Sequence, residues 1–296
     1  MDRNQKTGFV TLIGKTNVGK STLLNKIIDQ KISITSRKPQ TTRHRLLGIK
    51  TKDTSQAIFV DTPGYHIGQK RALNKHMNKV ALGSMEGVDL ILFVIEATRW
   101  AQEEEELFSR LKFHKDKLLI IINKIDKLKS KNELLPFIEF LRLETGLDKI
   151  IPISALKSNL NTLESEIFEF LPIGKHLYPA DQVADTTLRF MASEIIREKC
   201  ITRVGDEIPY RLTCMIDDFI EEEIIHINAT IFVEKESQKG ILIGESGNRL
   251  KSIGIAARKD LEKLLSKKVM LKLWVKVKKD WTDNQALLSS MGYKGD

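Results

Sequence analysis

Between the apolar run Phe9–Ile13 and the helix-like run Leu23–Ile28 stands the string Gly14-Lys15-Thr16-Asn17-Val18-Gly19-Lys20-Ser21. Its glycines let successive backbone amides turn towards phosphate oxygens. Lys20 is placed to reach the terminal phosphates, and the Ser21 hydroxyl to ligate Mg²⁺ at the positive end of the following helix. The chemistry this predicts is binding of a nucleoside triphosphate. A ligand-free strand-to-helix turn would use the same glycines, but the flanking strand and helix favour the phosphate reading.

Four further strings decide which nucleotide and what happens to it. Asn123-Lys124-Ile125-Asp126 follows the buried-strand run Leu118–Ile122. A carboxylate at Asp126 accepts both the ring N–H and the exocyclic amine of guanine, whereas adenine offers it an acceptor lone pair. Lys124 can lie over the base, and Asn123 can tie this loop to the phosphate loop. Alone the tetrapeptide is weak evidence, since Asn, Lys and Asp are common in turns. Asp61-Thr62-Pro63-Gly64 ends the run Ala57–Val60; Asp61 can hold Mg²⁺ through water and the Gly64 amide can sense a γ-phosphate. Thr41-Thr42-Arg43 lies in the polar stretch after the first helix, where a hydroxyl would complete the metal shell only while that phosphate is present. Ser154-Ala155, after Ile150–Ile153, could offer a backbone amide to the guanine carbonyl.

In this order the five strings resemble the translation-factor-type GTPases, and Asn17 inside the phosphate loop, with Tyr65 where a glutamine is common, narrows the likeness to the TrmE–Era group. That resemblance implies GTP and GDP as ligands with Mg²⁺, and slow hydrolysis to GDP and phosphate. It also implies a potassium ion, held in part by Asn17, whose charge sits about where an arginine finger would act. Its spacing takes the second threonine, so Thr42 rather than Thr41 joins Ser21 and Asp61 on the metal. Asn17, Lys20, Thr42 and Gly64 are then the catalytic set. The nucleotide is held by Gly14, Lys15, Thr16, Asn17, Val18, Gly19, Lys20 and Ser21, by Asp61, Thr62, Pro63 and Gly64, by Asn123, Lys124 and Asp126, and by Ser154 and Ala155. Thr16 stands where this group commonly has proline, which bears on the stiffness of the loop more than on its chemistry. A solvent-facing loop residue is the alternative for Asn17, because asparagine tolerates unusual dihedrals.

The elements that must position these residues fit a two-part chain. Its 296 residues suit about two domains, and 41% apolar residues suffice for cores. The N-terminal residues lack the apolar stretch of a secretory signal, and Leu90–Ile95 is strand-length, far below the roughly 20 residues of a spanning helix. Cys200 and Cys214 have no metal spacing and read as buried thiols of a reduced cytoplasm, with a bond between them left open. Two prolines and a glycine break both periodicities between 172 and 185. The expected division is therefore an α/β P-loop domain over 1–172 with a mostly parallel sheet flanked by helices, a linker over 173–185, and a smaller α+β domain over 186–296.

In the second part, an amphipathic helix is expected over Thr187–Thr202, with Leu188, Met191, Ile195 and Ile196 on one side and Asp185 or Thr186 as cap. Alternating strands are expected over Tyr210–Asp217, from Ile225 to Val233 and from Val269 to Val277, the last with Lys272, Lys276 and Lys278 on its opposite face. The net charge of +9 is uneven: residues 206–223 carry seven acids against Arg211, and residues 235–279 carry thirteen Lys and Arg against four acids. One stretch repels polyanions and the other attracts them, although any single lysine is more often a solvated face.

Leu242-Ile243-Gly244-Glu245-Ser246-Gly247-Asn248-Arg249-Leu250, with a following helix Arg249–Leu265, resembles the signature loop of a KH domain, of type II given the element order. That resemblance implies a sugar-phosphate backbone packed against Gly244, Glu245, Ser246 and Gly247, with the bases of a single strand in an apolar groove. Glu245 departs from an often basic position, so the clamp would lean on Arg249, Lys251, Arg258 and Lys259. Trp274 and Trp281 could stack on bases, with core packing the better expectation for Trp274. One GTPase followed by one KH domain resembles TrmE–Era group members that bind the single-stranded 3′ end of small-subunit ribosomal RNA and act in small-subunit maturation. Those members are cytoplasmic monomers that can associate peripherally with the cytoplasmic face of the membrane. A scaffold with vestigial hydrolysis is the competing class of function; intact Lys20, Ser21, Asp61 and Asp126 favour an enzyme.

Overall fold

The computed structural model describes residues 5–36, 38, 41–44, 46–61, 63–65, 72–205, 208, 211–291 and 293. The chain divides into two compact units. Met1–Ser33, Thr42–Gln69 and Asn74–Asp185 make the first; Ile34–Thr41, Lys70–Leu73 and Thr186–Asp296 make the second.

The first unit is built on strands β1 (Lys6–Ile13), β2 (Leu46–Lys52), β3 (Ser55–Asp61), β4 (Leu90–Glu96), β5 (Leu118–Asn123) and β6 (Ile150–Pro152) in the order β2-β3-β1-β4-β5-β6. Every pairing is parallel except β2 with β3. Central parallel strands are covered on both faces, so they read as unbroken apolar runs. In β4, Leu90, Leu92 and Val94 enter one core with α1 (Lys20–Ile28) and α5 (Asn161–Phe170). Ile91, Phe93 and Ile95 enter a second core with α3 (Gln102–Leu111) and α4 (Leu134–Thr145). A further helix, α2 (Ala72–Gly83), follows β3. Because β1 has β3 on one side and β4 on the other, the carboxyl ends of β1, β3, β4 and β5 open on one crevice, the place where ligands bind in open α/β sheets.

Residues 173–185, expected as a linker, are hydrogen-bonded to this unit. The Ile49 amide donates to the Val183 carbonyl (2.9 Å) and the Asp185 amide to the Leu47 carbonyl (3.1 Å), so the segment runs beside β2, the edge strand. The buried Gln56 side chain accepts from the Leu177 and Tyr178 amides and donates to the Tyr178 carbonyl.

The second unit runs α6 (Leu188–Arg203), β7 (Leu212–Ile220), β8 (Ile225–Val233), α7 (Glu236–Ile243), α8 (Asn248–Leu265), β9 (Val269–Val277) and α9 (Gln285–Ser290). Its sheet is β7-β8-β9, antiparallel then parallel. Ile225, Ile227, Ala229, Ile231 and Val233 point into a core completed by Ile253, Ala257 and Leu261, spaced four apart on α8. This is the α+β layer expected. Several local expectations need correction. The cap of α6 is Thr187, whose hydroxyl accepts from the Phe190 amide, and not Asp185 or Thr186; Leu188 is consequently 44% exposed on the first turn. β7 extends to Ile220 through a bulge between Ile216 and Asp218, while Asp206, Glu207 and Tyr210 lie outside the described residues. Trp274 is 44% exposed and Trp281 fully buried, its indole donating to the Arg211 carbonyl (3.3 Å), the reverse of the packing expected for Trp274. Both cysteines are free and buried; burial pushes the Cys200 thiol up to about 12 and Cys214 well above its ordinary value, so neither is a nucleophile.

The fully buried Leu92 sits mid-sheet against α1 and α5. Leu92→Ala is expected to cost the first unit about 3 kcal/mol, read from its transition in urea unfolding; a loss below about 1 kcal/mol would mean that this core is loosely packed.

Candidate functional site

At the carboxyl end of β1 the chain turns into α1 through the phosphate loop, and α1 begins with no side-chain cap on its free amides. An uncapped helix N-terminus leaves donors and a partial positive charge for an anion. The Lys20 ammonium is buried and donates only inward, to the Gly14 (2.9 Å) and Lys15 (2.7 Å) carbonyls. Burial pushes it down to about 8, helped by the Lys124 charge and opposed by the Asp61 carboxylate. Gly19 at φ 101° approaches Asn123 so closely that an added Cβ would stand 2.3 Å from the amide nitrogen. Only glycine fits there.

Ser21, Thr42 and Asp61 come together. The Ser21 and Thr42 hydroxyls are 2.7 Å apart, and Ser21 donates to Asp61 Oδ2 at 3.1 Å. Thr41 faces elsewhere, donating to the Lys38 carbonyl. Two hydroxyls and one carboxylate are hard oxygen donors suited to Mg²⁺, which takes few protein ligands and completes its shell with phosphate and water. Among the described residues no group of three His, Cys, Asp or Glu could hold a metal ion. Thr62 lies outside the described residues. Pro63 and Gly64 are buried, and the Tyr65 amide donates to the Gly14 carbonyl (3.3 Å), which docks residues 63–65 on the phosphate loop. Tyr65 itself turns away: its hydroxyl donates to Glu106 (3.2 Å) and Arg110 lies over its ring, so the side chain that stands where a glutamine is common is committed to α3.

The base-recognition residues also converge. Asn123 is 2% exposed; it donates to the Val18 carbonyl (2.8 Å) and accepts from the Lys124 (2.8 Å) and Ala155 (2.9 Å) amides. The Ala155 amide, expected to face guanine, is thus turned inward on Asn123. Asp126 is exposed at the mouth, and its carboxylate accepts from the Ser154 hydroxyl (2.6 Å). Lys124 is pinned between the Asn17 carbonyl and Glu96, 2.9 Å away. Burial works against the charge on Glu96, but Lys124 and Lys127 outweigh it and hold its carboxyl below the usual range. Asn17 is exposed with φ 63°, compatible with an ion ligand and with a plain loop residue alike.

Several contributors have no sequence signal, because each is a single polar residue far from the motifs. Glu103 and Glu104 on α3 pair with Lys15 (2.6 and 3.3 Å). Glu96 holds Lys124. Ser33 donates to Asp61 Oδ2 at 2.7 Å.

In the second unit a groove of about 850 Å³ runs between α8 and β9. Gly247, Leu250, Lys251, Ile255 and Arg258 form one wall; Val269, Leu271 and Leu273 form the other; Ile224, His226 and Lys268 lie at its end. Basic residues at an apolar floor suit a single strand whose bases lie inward. Gly244 (φ 72°) and Gly247 (φ 80°) shape its entrance, with Glu245 and Ser246 exposed between them. Arg249 leaves the groove, its guanidinium donating back to the Ile241 carbonyl, and Lys259 does not line it. Lys251 and Arg258, seven apart on α8, bring positive charge to it together with Lys268, against the single acid Glu262.

Residues 9–124 match the family described as 50S ribosome-binding GTPase, and residues 207–282 match the KH domain. The GTPase Era of Azotobacter vinelandii is 47% identical over 99% of this chain and 98% of its own, and that of Pseudomonas aeruginosa 47% identical over 97% and 95%. Among solved structures, a variant of Era from Aquifex aeolicus bound to GDP and aluminium fluoride superposes with a TM-score of 0.95 at 39% identity, over 98% of this chain and 100% of that one. Era in complex with MgGDPNP and nucleotides 1506–1542 of 16S ribosomal RNA gives 0.96 at 39% identity, over 99% and 100%. With phosphate loop, guanine loop and GxxG groove all in place and full-length relatives at this identity, the chain belongs to the Era family of GTPases.

Proposed function

We propose that this protein hydrolyses GTP slowly and uses its nucleotide state to govern binding to the single-stranded 3′ end of small-subunit ribosomal RNA during assembly of the small subunit. The observation that carries the reading is the convergence of the Ser21, Thr42 and Asp61 oxygens next to the buried Lys20 ammonium. Mg²⁺ held there supplies charge neutralisation for the β- and γ-phosphate oxygens. Lys20 adds a second positive charge, the Gly64 amide a hydrogen bond to the γ-phosphate, and Asp126 the selection of guanine. With the Tyr65 hydroxyl turned to Glu106 on α3, Tyr65 does not orient the water, which agrees with a slow rate and with potassium beside Asn17 supplying positive charge.

The RNA part rests on the groove and on the relative solved with 16S ribosomal RNA nucleotides. Coupling is supported by Ile34–Thr41, which belongs with the second unit: the Thr35 amide donates to Glu198 (2.9 Å) and Arg197 donates to the Thr41 carbonyl. The next residue is Thr42, so loss of the γ-phosphate would release one end of a segment bound at the other. Such a protein would act in the cytoplasm as a monomer on the small subunit. Among the described residues no helix is long and apolar enough to cross a membrane; peripheral contact with the membrane is supported by family resemblance alone.

Asp126→Asn is expected to lose GTP binding by at least tenfold and to gain xanthosine triphosphate, since the amide donates where the carboxylate accepted; unchanged GTP affinity by calorimetry would sink the guanine assignment. Hydrolysis should run faster in potassium than in sodium at equal ionic strength, a difference that Asn17→Ala erases; equal rates in the parent would leave Asn17 a loop residue. Gly244→Asp with Gly247→Asp should abolish binding of a ribosomal 3′-end oligonucleotide in anisotropy titrations and leave basal hydrolysis intact. Retained RNA affinity would move the RNA site away from the groove.

A further inference from the structure

Asp61 Oδ2 receives two hydroxyl groups, from Ser21 at 3.1 Å and from Ser33 at 2.7 Å. Ser33 is 1% exposed and Asp61 0%. In the proposed function Ser21 turns its oxygen to Mg²⁺, while Ser33, the nearer of these two hydroxyls, stays on the Asp61 carboxylate. Ser33 is itself held with unusual completeness for a loop residue. The Asn25 side chain accepts from its amide (2.9 Å) and from the Ile32 amide (3.0 Å), and donates to the Ser33 carbonyl (2.7 Å). Asn25 lies on α1 four residues after Ser21, one turn further along the same helix. The helix that carries one metal-binding hydroxyl therefore also fixes the loop that carries the hydroxyl behind Asp61. A polar residue so buried and so bracketed, bonded to a carboxylate whose direction matters, does more than fill space.

We propose that Ser33, held in place by Asn25, is the positioning residue for Asp61, and that it sets the affinity of the nucleotide complex for Mg²⁺. A buried carboxylate with one oxygen fixed loses no rotational freedom when it receives a magnesium-bound water. Without the Ser33 hydroxyl the carboxylate rotates, and the loss falls on the metal and not on the base or the phosphates. The idea rests on Asp61 serving the magnesium site.

The test uses the full chain and a fluorescent GDP. Retention of that nucleotide is titrated with Mg²⁺, and its affinity is measured separately in EDTA. For Ser33→Ala the half-saturating Mg²⁺ concentration should rise about tenfold or more, the usual size for removing the partner of a metal-binding group, while affinity in EDTA stays within about twofold of the parent. Ser33→Thr, which keeps the hydroxyl, should restore the parent value, and Asn25→Ala should shift in the same direction as Ser33→Ala. If Ser33→Ala does not bind nucleotide in EDTA, Ser33→Cys, close in size and a weak donor, carries the same comparison. A magnesium-dependent parent whose half-saturation is unchanged in the alanine or cysteine variant overturns the role of Ser33. A parent that retains GDP equally with and without Mg²⁺ overturns this role together with the magnesium reading of Asp61.

Discussion

One side-chain amide holds the nucleotide site in register. Asn123 ends β5, donates to the loop that follows β1, and accepts from Ala155 in the loop that follows β6. Three loops that approach from separate strands thereby share one buried group, which donates once and accepts twice inside the protein. A buried amide left unsatisfied costs about 1–3 kcal/mol, so the loops cannot drift apart singly. The absence of a side chain on Gly19 belongs to the same constraint, since any Cβ would displace Asn123. Phosphate recognition and base recognition are separate chemistries, and this amide makes them one rigid surface.

Much of that surface was legible in the sequence because its chemistry needs particular residue types at fixed spacing. Gly14 to Ser21, Asp61, Asn123 to Asp126 and the Gly244 to Gly247 loop all stand where strand and helix periodicity put them. The choice of Thr42 over Thr41 could not be read from the residues, because two adjacent threonines differ only in the direction the backbone gives them. Thr187 was missed as a cap for the same reason: Asp185, Thr186 and Thr187 are all competent, and packing selects among them. Trp274 misled because β9 alternates, and the face that carries Lys272 and Lys276 also carries the indole. Ser33, Glu96 and Glu104 were invisible because a single serine or glutamate acquires meaning only through what the fold sets beside it.

The second unit separates its charges by element. Acids cluster at the β7–β8 end, and Lys251 and Arg258 line the groove with Lys268 at its end. Three basic side chains against the single acid Glu262, above an apolar floor, leave the groove net positive towards a polyanion. Arg249, the basic residue nearest the GxxG turn in sequence, donates to the Ile241 carbonyl and does not line the groove. Affinity must then come from further along the groove, where bases meet apolar side chains.

The segment 173–185 closes the edge of β2. An open edge strand presents a row of unsatisfied amides and carbonyls that invites pairing with another chain. Here those groups are met by Val183, Asp185 and their neighbours, with Gln56 clipping the far end of the segment. A fragment ending at Pro172 would keep the phosphate loop, the buried residues of both cores and all base-recognition residues, yet lose Val183 and Ala184 from the flank of the first core and expose that edge. Its failing would be colloidal: self-association through β2, in a protein whose nucleotide chemistry was otherwise whole.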